Sequence, residues 1–136
     1  MVVPEAVRVQ VCDLLVIDDD PLVLEVVELA VTMDRPDATV ITADGPAAAL
    51  DLLASQTPRI VVTDFDMRGM NGARLIQEIR SSNAAQPILV FTGRSADDVI
   101  PRIPADVFVI EKSSPKSIIK LRDRITLILD GAISAA

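Results

Sequence analysis

The sequence predicts an open α/β domain in which five helices cover both faces of a five-stranded parallel sheet, a doubly wound architecture. Short apolar, β-branched runs alternate with longer stretches of helical periodicity along the chain. Four of the five runs are almost unbroken apolar, as expected for strands that are covered on both faces. The chain has 136 residues, about the size of one domain. Strict alternation of strand and helix favours right-handed crossovers around one sheet.

Apolar runs place the strands, and helical periodicity places the helices between them. The predicted strands, in chain order, are Leu14–Ile17, Thr39–Thr42, Ile60–Thr63, Pro87–Phe91 and Val107–Ile110. The predicted helices cover residues 21–33, 46–54, 71–82, 95–102 and 114–130. Three helix starts are marked by a cap-type residue followed by proline, which suits the first helical position. These pairs are Asp20-Pro21, Gly45-Pro46 and Ser114-Pro115.

The last two predicted helices differ in regularity. Pro101 and Pro104 fall within two turns of Ser95, so we expect the fourth helix to be short or irregular. The fifth helix has an apolar stripe at helical spacing, and Gly131 then predicts its end. The residues of the stripe are Ile118, Leu121, Ile125 and Ile128.

Residues 13–131 form the predicted domain, with an N-terminal extension over 1–12 and a short tail over 132–136. Three valines alternate with polar residues in the extension, which favours an ordered tail or an extension of the first strand over an added edge strand. No linker or internal repeat divides the chain. The short tail favours output through contact with another protein over an attached effector domain, and a domain taken from a longer protein stays an alternative.

Composition limits the available chemistry. The chain has 13 Lys+Arg against 20 Asp+Glu, a net charge of −7, which disfavours nonspecific binding to nucleic acid or anionic membranes. It has no histidine, which excludes histidine general bases and Ser-His-Asp triads. Cys12 is the single cysteine, and the sequence shows neither a secretory signal nor a run of about 18 apolar residues. We therefore expect a soluble cytoplasmic protein that uses carboxylates, Lys, Thr and metal ions.

Polar residues at the strand ends predict a binding site, because ligands of an open parallel sheet bind outside the carboxyl ends of its strands. These residues are Asp18, Asp19, Asp64, Thr92 and Lys112. Neighbouring carboxylates repel by about 1 kcal/mol in water and about 4 near a protein surface, so a cation should offset the cost. Asp20 is explained as a helix cap, whereas Asp18, Asp19 and Asp64 offer the oxygen ligands that Mg²⁺ prefers. A solvated turn is the alternative for Asp18 and Asp19.

Asp64 is the candidate nucleophile. It ends an apolar strand in the stretch IVVTDFDMRGMNG, before a glycine-rich turn that lets the backbone approach a small ligand. A carboxylate can take a phosphoryl group as an acyl phosphate. Lys112 with a metal would neutralise charge on the transferred oxygens, and Thr92 can donate a hydrogen bond to one of them. Thr92 alone is more often a structural residue, and Lys112 alone is usually a solvated one; only the combination predicts phosphoryl chemistry.

With these five residues in this order, the sequence resembles the receiver domain of two-component response regulators over roughly residues 13–131. The resemblance implies a flavodoxin-like fold and Mg²⁺ bound by Asp19, Asp64 and the backbone carbonyl of Asp66, with Asp18 acting mainly through water. It implies that a histidine kinase or histidine phosphotransfer protein supplies a phosphoryl group to Asp64. The module would then change its contacts with a downstream protein in trans, and it could also form a homodimer. We expect it not to be an enzyme and not to bind nucleic acid or membranes directly.

Several positions depart from the pattern of that family. Arg68 and Ser113 stand where the family usually has proline, and Gly93 replaces a frequent alanine, which should widen access to the pocket. The usual aromatic switch residue, three before the lysine, is replaced by Val109, and Phe108 is expected on the opposite face of the strand. These departures keep open the alternative of a pseudo-receiver that docks to partners without being phosphorylated.

Two further charges flank the line of water attack in the family, namely Asp66 and Arg94. We hypothesise that they pair across the pocket and slow dephosphorylation, against the alternative of two solvated surface charges. Asp64-Phe65-Asp66 also looks like the Asp-x-Asp of haloacid-dehalogenase-type phosphatases, where the first Asp attacks and the second is the acid/base. That motif normally opens such a domain, and here it follows the third strand, so this alternative is less favoured.

Overall fold

A computed structural model describes residues 10–131. They form one five-stranded parallel sheet with helices on both faces, as the sequence predicts. The strands are β1 (Gln10–Ile17), β2 (Val40–Ala43), β3 (Gln56–Thr63), β4 (Ile88–Thr92) and β5 (Phe108–Glu111). The helices are α1 (Pro21–Asp34), α2 (Pro46–Leu53), α3 (Gly72–Ser82), α4 (Ala96–Val99) and α5 (Lys116–Leu129).

The strand order places a crevice at the carboxyl edge of the sheet. The order is β2-β1-β3-β4-β5, with all neighbours parallel. The connections run to one side of β1 and then to the other, so the topological switch point lies between β1 and β3. Ile17 at the end of β1 pairs with Ala43 and with Thr63, which aligns the ends of three strands.

The core has two layers because side chains alternate across the sheet. On one face, Leu14 and Val16 pack in a cluster with α1 and α5. On the other face, Leu15 and Ile17 pack in a second cluster with α2, α3 and α4. This double coverage explains why the strands are nearly unbroken apolar runs. In the part of the chain that is described, no helix is long and apolar enough to cross a membrane.

Strands β1 and β3 are longer than predicted. They pair in parallel from Gln10 and Gln56 onward, so β3 includes Pro58 and Arg59, which precede the apolar run in the sequence. The predicted domain boundary at residue 13 therefore falls inside β1, and residues 10–12 extend the first strand. The rest of the valine alternation, at residues 7 and 9, lies outside the described residues.

The ends of α5 show one prediction that is wrong and one that is confirmed. The helix begins at Lys116, one residue later than the Ser-Pro pair predicted. No side chain of residues 10–131 caps this end; the Ser117 hydroxyl instead accepts hydrogen bonds from the N–H groups of Ser113 and Ser114, in the loop before the helix, at 3.2 and 3.3 Å. The helix stops before Gly131, whose φ of 73° suits glycine.

Helix α4 is only four residues long and continues as a 3-10 segment over Ile100–Arg102. Pro101 lies inside this segment, and Pro104 follows it, as the expectation of a short or irregular helix requires. The short helix leaves part of the outer face of α3 uncovered, and a groove lies there.

Candidate functional site

Three carboxylates converge at the carboxyl edge between β1 and β3. Asp18 and Asp19 follow β1, Asp64 follows β3, and one oxygen from each lies within 4.8 Å of the others. Asp18 is only 2% exposed and Asp64 9%, whereas Asp19 is partly exposed. Like charges this close, with this little water, require compensation by cations.

Lys112 supplies one of these cations. Its Nζ donates to Asp18 Oδ2 at 2.7 Å and lies 3.2 Å from Asp64 Oδ2. The residue follows β5, and its backbone N–H donates to the carbonyl of Thr92 at 2.7 Å, which ties the loop to β4. Burial opposes the charged form, but the hydrogen bond to Asp18 and the charge on Asp64 outweigh it, so the pKa of Lys112 is raised.

The donor set around Asp18 fits a hard divalent cation. Burial raises the pKa of Asp18, although hydrogen bonds from Lys112 and from the backbone N–H of Asp20 act to lower it. One ammonium leaves the three carboxylates with a net negative charge. The ligand atoms of the cluster are all oxygens, and Mg²⁺ typically uses one or two carboxylates together with water and phosphate oxygens.

The two oxygens of Asp64 have different partners. Oδ1 accepts a hydrogen bond from the backbone N–H of Phe65 at 2.7 Å, while Oδ2 faces Lys112. The start of α3 packs directly against this pair of residues: a Cβ on Gly72 would lie 2.8 Å from the Asp64 carbonyl oxygen and from Phe65 Cα. The orientation of the Asp64 carboxylate is therefore fixed by backbone, and the close approach requires glycine at position 72.

Thr92 completes this edge of the sheet from β4. The residue is fully buried, and its Oγ accepts a hydrogen bond from the backbone N–H of Arg94 at 3.1 Å. The hydroxyl proton remains available for donation to a ligand. A Cβ on Gly93 would meet nothing within 4 Å, so the space beside this residue is open.

Asp66 and Arg94 lie at the rim of this site. Arg94 Nε donates to Asp66 Oδ2 at 2.7 Å, so the two side chains form a pair. The effect of this pair on dephosphorylation stays a prediction. Nearby, Arg68 Nε lies 4.0 Å from Asp19 Oδ2, which places a further positive charge beside the carboxylates.

The sequence analysis missed two residues beside the site. The ring of Phe65 is buried next to Asp64 and faces two guanidinium groups: Arg102 Cζ is 4.9 Å and Arg94 Cζ 5.5 Å from the ring centroid. An apolar residue between two carboxylates was a signal for Phe65. Nothing local marked Arg102, because its contact depends on how the 3-10 segment packs.

Phe108 and Val109, where β5 departs from the family pattern, lie on opposite faces of the sheet because side chains alternate along a strand. Phe108 is 44% exposed, and the guanidinium of Arg124 lies 3.9 Å from its ring centroid on the α5 side. Val109 points the other way and packs, half-buried, against the second core cluster. An aromatic side chain is therefore absent from the face of β5 where the resemblance places the switch residue.

A flavodoxin-like sheet with an acidic cluster, a threonine and a lysine at one edge defines a receiver-type signalling domain. The family model for the response regulator receiver domain matches residues 14–115, and the chain belongs to this family. Receiver domains are signalling modules of two-component systems rather than classical enzymes, and they typically bind Mg²⁺ at an acidic pocket.

Two curated relatives are a response regulator and a probable transcriptional regulatory protein. The nitrate/nitrite response regulator protein NarL of Escherichia coli K12 is 28% identical over 111 residues, which cover 79% of this chain and 51% of NarL. The probable transcriptional regulatory protein NarL of Mycobacterium tuberculosis H37Rv is 30% identical over 120 residues, which cover 86% of this chain and 53% of that protein. The chain thus spans about half the length of these relatives.

Solved structures share the fold over nearly their whole length. The signal receiver domain of a DNA-binding response regulator from Colwellia psychrerythraea 34H has a TM-score of 0.77 at 26% identity, covering 88% of this chain and 98% of that one. The Francisella response regulator 1452 receiver domain has a TM-score of 0.75 at 20% identity, covering 90% and 99%.

Proposed function

We propose that this chain accepts a phosphoryl group on Asp64 from a phosphohistidine of a partner kinase or phosphotransfer protein. A carboxylate oxygen of Asp64 forms a bond to phosphorus, the bond from phosphorus to histidine nitrogen breaks, and the nitrogen leaves with the electron pair and regains a proton from solvent. One observation carries this proposal: Asp64, at the mouth of the sheet, lies in contact with Lys112 and within a cluster of three carboxylates.

The chain's own side chains would hold the transferred group. Lys112 neutralises charge that develops on the phosphoryl oxygens, and Thr92 donates a hydrogen bond to one of them. Fixed positive charge and donors aimed at the reacting oxygens contribute most when the site excludes water, and Thr92 and Asp64 are buried. The backbone N–H of Phe65 holds the carboxylate in one orientation before the donor arrives.

Asp18, Asp19 and Asp64, with the backbone carbonyl of Asp66, would hold Mg²⁺ in this site. When bound, Mg²⁺ supplies electrostatic stabilisation of the transferred oxygens. The oxygen-only donor set and the excess of negative charge support the assignment. A structural neighbour from Thermotoga maritima, the response regulator protein TrrA, was solved in complex with Mg²⁺-BeF and has a TM-score of 0.67 at 22% identity, covering 88% of this chain and 98% of TrrA.

An exposed apolar surface beside Lys112 supports the proposal that the phosphoryl donor is a protein. Leu22 and Val26 of α1 are exposed apolar side chains, and with Lys112 and the start of α5 they line a groove of 380 Å³. An exposed apolar surface at the entrance of a charged site is typical of a protein contact.

Labelling with acetyl phosphate tests the proposal. The wild type should gain one phosphoryl group in the presence of Mg²⁺, seen by intact mass, and Asp64→Ala should gain none. Asp51→Ala, which removes an exposed carboxylate of α2 away from the site, is the matched control and should label normally. Partner binding without any labelling of the wild type would favour the pseudo-receiver instead.

Repeated release of phosphate from small phosphomonoesters would favour the phosphatase alternative. The family match argues against the phosphatase alternative. So does the position of Asp66, the side chain that a phosphatase would need as its acid/base. Asp66 already accepts a hydrogen bond from Arg94 at 2.7 Å, so its carboxylate is turned to another partner rather than free to act on a substrate. We propose instead that this pair screens the acyl phosphate from water and lengthens its lifetime.

A further inference from the structure

The groove between α3 and the 3-10 segment has an unusual charge. It has a volume of 800 Å³, and its lining contains three arginines but no Asp or Glu, in a chain whose net charge is −7. Gln77 and Ser81 add neutral polar groups, and apolar side chains from both walls complete the surface. The arginines are Arg74, Arg80 and Arg102. Such a surface suits a ligand that combines negative charge with apolar groups.

The three arginines differ in how freely they can bind a ligand. Arg80 is fixed, because it pairs with Asp106 at 2.8 Å and donates to the Gln86 carbonyl at 3.1 Å. Arg74 pairs with Glu78 one turn along the same helix, and its side chain is 62% exposed. Exposed pairs of this kind contribute little to stability, so an incoming carboxylate can exchange with Glu78.

Arg102 is the arginine best placed to bind a new partner. Among residues 10–131 no carboxylate lies within 4.0 Å of its guanidinium, and the side chain is exposed. Its contact within the chain is with the buried ring of Phe65, 4.9 Å from the centroid. A carboxylate can therefore pair with the outer edge of Arg102 without first displacing an acidic residue.

The same residue connects the groove to the candidate acceptor. The Phe65 ring lies under Arg102, and the Phe65 backbone N–H holds Asp64 Oδ1 at 2.7 Å. A ligand that draws Arg102 toward the groove loosens its contact with the ring, and a change at Asp64 that shifts Phe65 alters the position of Arg102. Coupling of this kind is reciprocal, because each site changes the affinity of the other by the same factor.

We propose that this groove binds a carboxylate-bearing segment of a partner protein, and that Arg102 couples its occupancy to the state of Asp64. The coupling rests on the proposed phosphorylation, whereas the binding does not. A peptide segment is favoured over nucleic acid because aromatic residues make up 2% of the chain and none lines the groove, so bases would find no ring to stack on.

The binding is tested with a fluorescein-labelled, end-blocked peptide of alternating Glu and Leu, with a Gln-Leu peptide as the neutral probe. We expect saturable binding with a Kd on the order of 100 µM by fluorescence anisotropy, and roughly tenfold weaker binding of the neutral probe. Arg102→Gln should weaken binding about fivefold, whereas Arg122→Gln on α5 should not change it. Absent binding, equal affinity for the two probes, an unaffected Arg102→Gln variant, or tighter binding of single-stranded DNA would each overturn the proposal.

The coupling is tested by repeating the titration with Mg²⁺ and beryllofluoride. The affinity of the wild type for the Glu-Leu peptide should change about fivefold or more, and Arg102→Met, which keeps an apolar chain over the ring without the charge, should lose the change. Normal labelling of Asp64 with an unchanged affinity would overturn the coupling alone. Failure of acetyl phosphate to label Asp64 would overturn the proposed function together with the coupling, and the peptide titration would still decide the binding.

Discussion

Gly72→Ala is expected to destabilise the protein by pushing α3 away from the loop that carries Asp64. The added Cβ would lie 2.8 Å from two backbone atoms, Asp64 O and Phe65 Cα, which is 0.6 Å inside the 3.4 Å at which ordinary contact begins. Backbone atoms cannot rotate away as a side chain can, so the helix or the loop has to move. Overpacking of this kind costs about 1–3 kcal/mol, against a gain in helix propensity of at most about 1 kcal/mol.

Urea unfolding measures the net effect. With a slope near 1.5 kcal/mol per molar, a net loss of about 1–2 kcal/mol lowers the midpoint by roughly 0.7–1.3 M. Gly93→Ala is the matched control, because a Cβ there meets nothing within 4 Å. It should leave the midpoint unchanged or raise stability by up to about 1 kcal/mol. Equal midpoints for the two variants would refute the reasoning from the close approach at Gly72.

Three further predictions concern charged pairs. Asp66→Ala and Arg94→Ala should each shorten the half-life of the acyl phosphate by roughly two- to fivefold, a small factor because the pair is exposed, and unchanged half-lives would contradict a protective pair. Lys112→Met leaves buried carboxylates without their ammonium, and should lower the free energy of unfolding in urea by about 3 kcal/mol without Mg²⁺; an unchanged value would show that the pairs contribute nothing. The hydrogen bond from Arg80 lowers the pKa of Asp106, so this carboxylate stabilises the fold above its unfolded pKa and loses that effect as the pH falls through the lower folded pKa. Urea midpoints of the wild type and Asp106→Asn should therefore differ near neutral pH and converge once the pH falls below the folded pKa of Asp106, and a difference that persists in strong acid would contradict the pairing.

The order of strands and helices could be predicted because strands that helices cover on both faces are apolar runs, and the helices between them show helical periodicity. The ends of elements depend on contacts that the local sequence does not contain. Polar residues and Pro58 precede the apolar run of β3, yet the strand already begins at Gln56, because it pairs there with the neighbouring β1. Helix α5 begins at Lys116, after a loop whose Ser113 and Ser114 amides donate to the Ser117 hydroxyl, whereas the sequence favoured a start at the Ser114-Pro115 pair.

The meeting of the candidate site residues could be predicted for a related reason. In a parallel sheet every strand delivers its last side chain to the same edge, so Asp18, Asp64 and Lys112 meet although they are far apart in sequence. The support around them could not be predicted. The hydrogen bond from the Phe65 backbone and the position of Arg102 over the Phe65 ring depend on loop conformation, which no residue pattern in this chain encodes.

The packing around Phe65 indicates where a change at Asp64 can reach the surface. The aromatic residue of β5, Phe108, lies on the α5 side beside Arg124, and Val109 is too small to replace an aromatic ring on the other face. Phe65, by contrast, touches Asp64 through its backbone and two surface arginines through its ring. Those arginines belong to the loop after β4 and to the 3-10 segment. A shift of the loop that carries Asp64 would therefore be transmitted toward the α3 side of the sheet, where the arginine-lined groove lies, rather than toward α5.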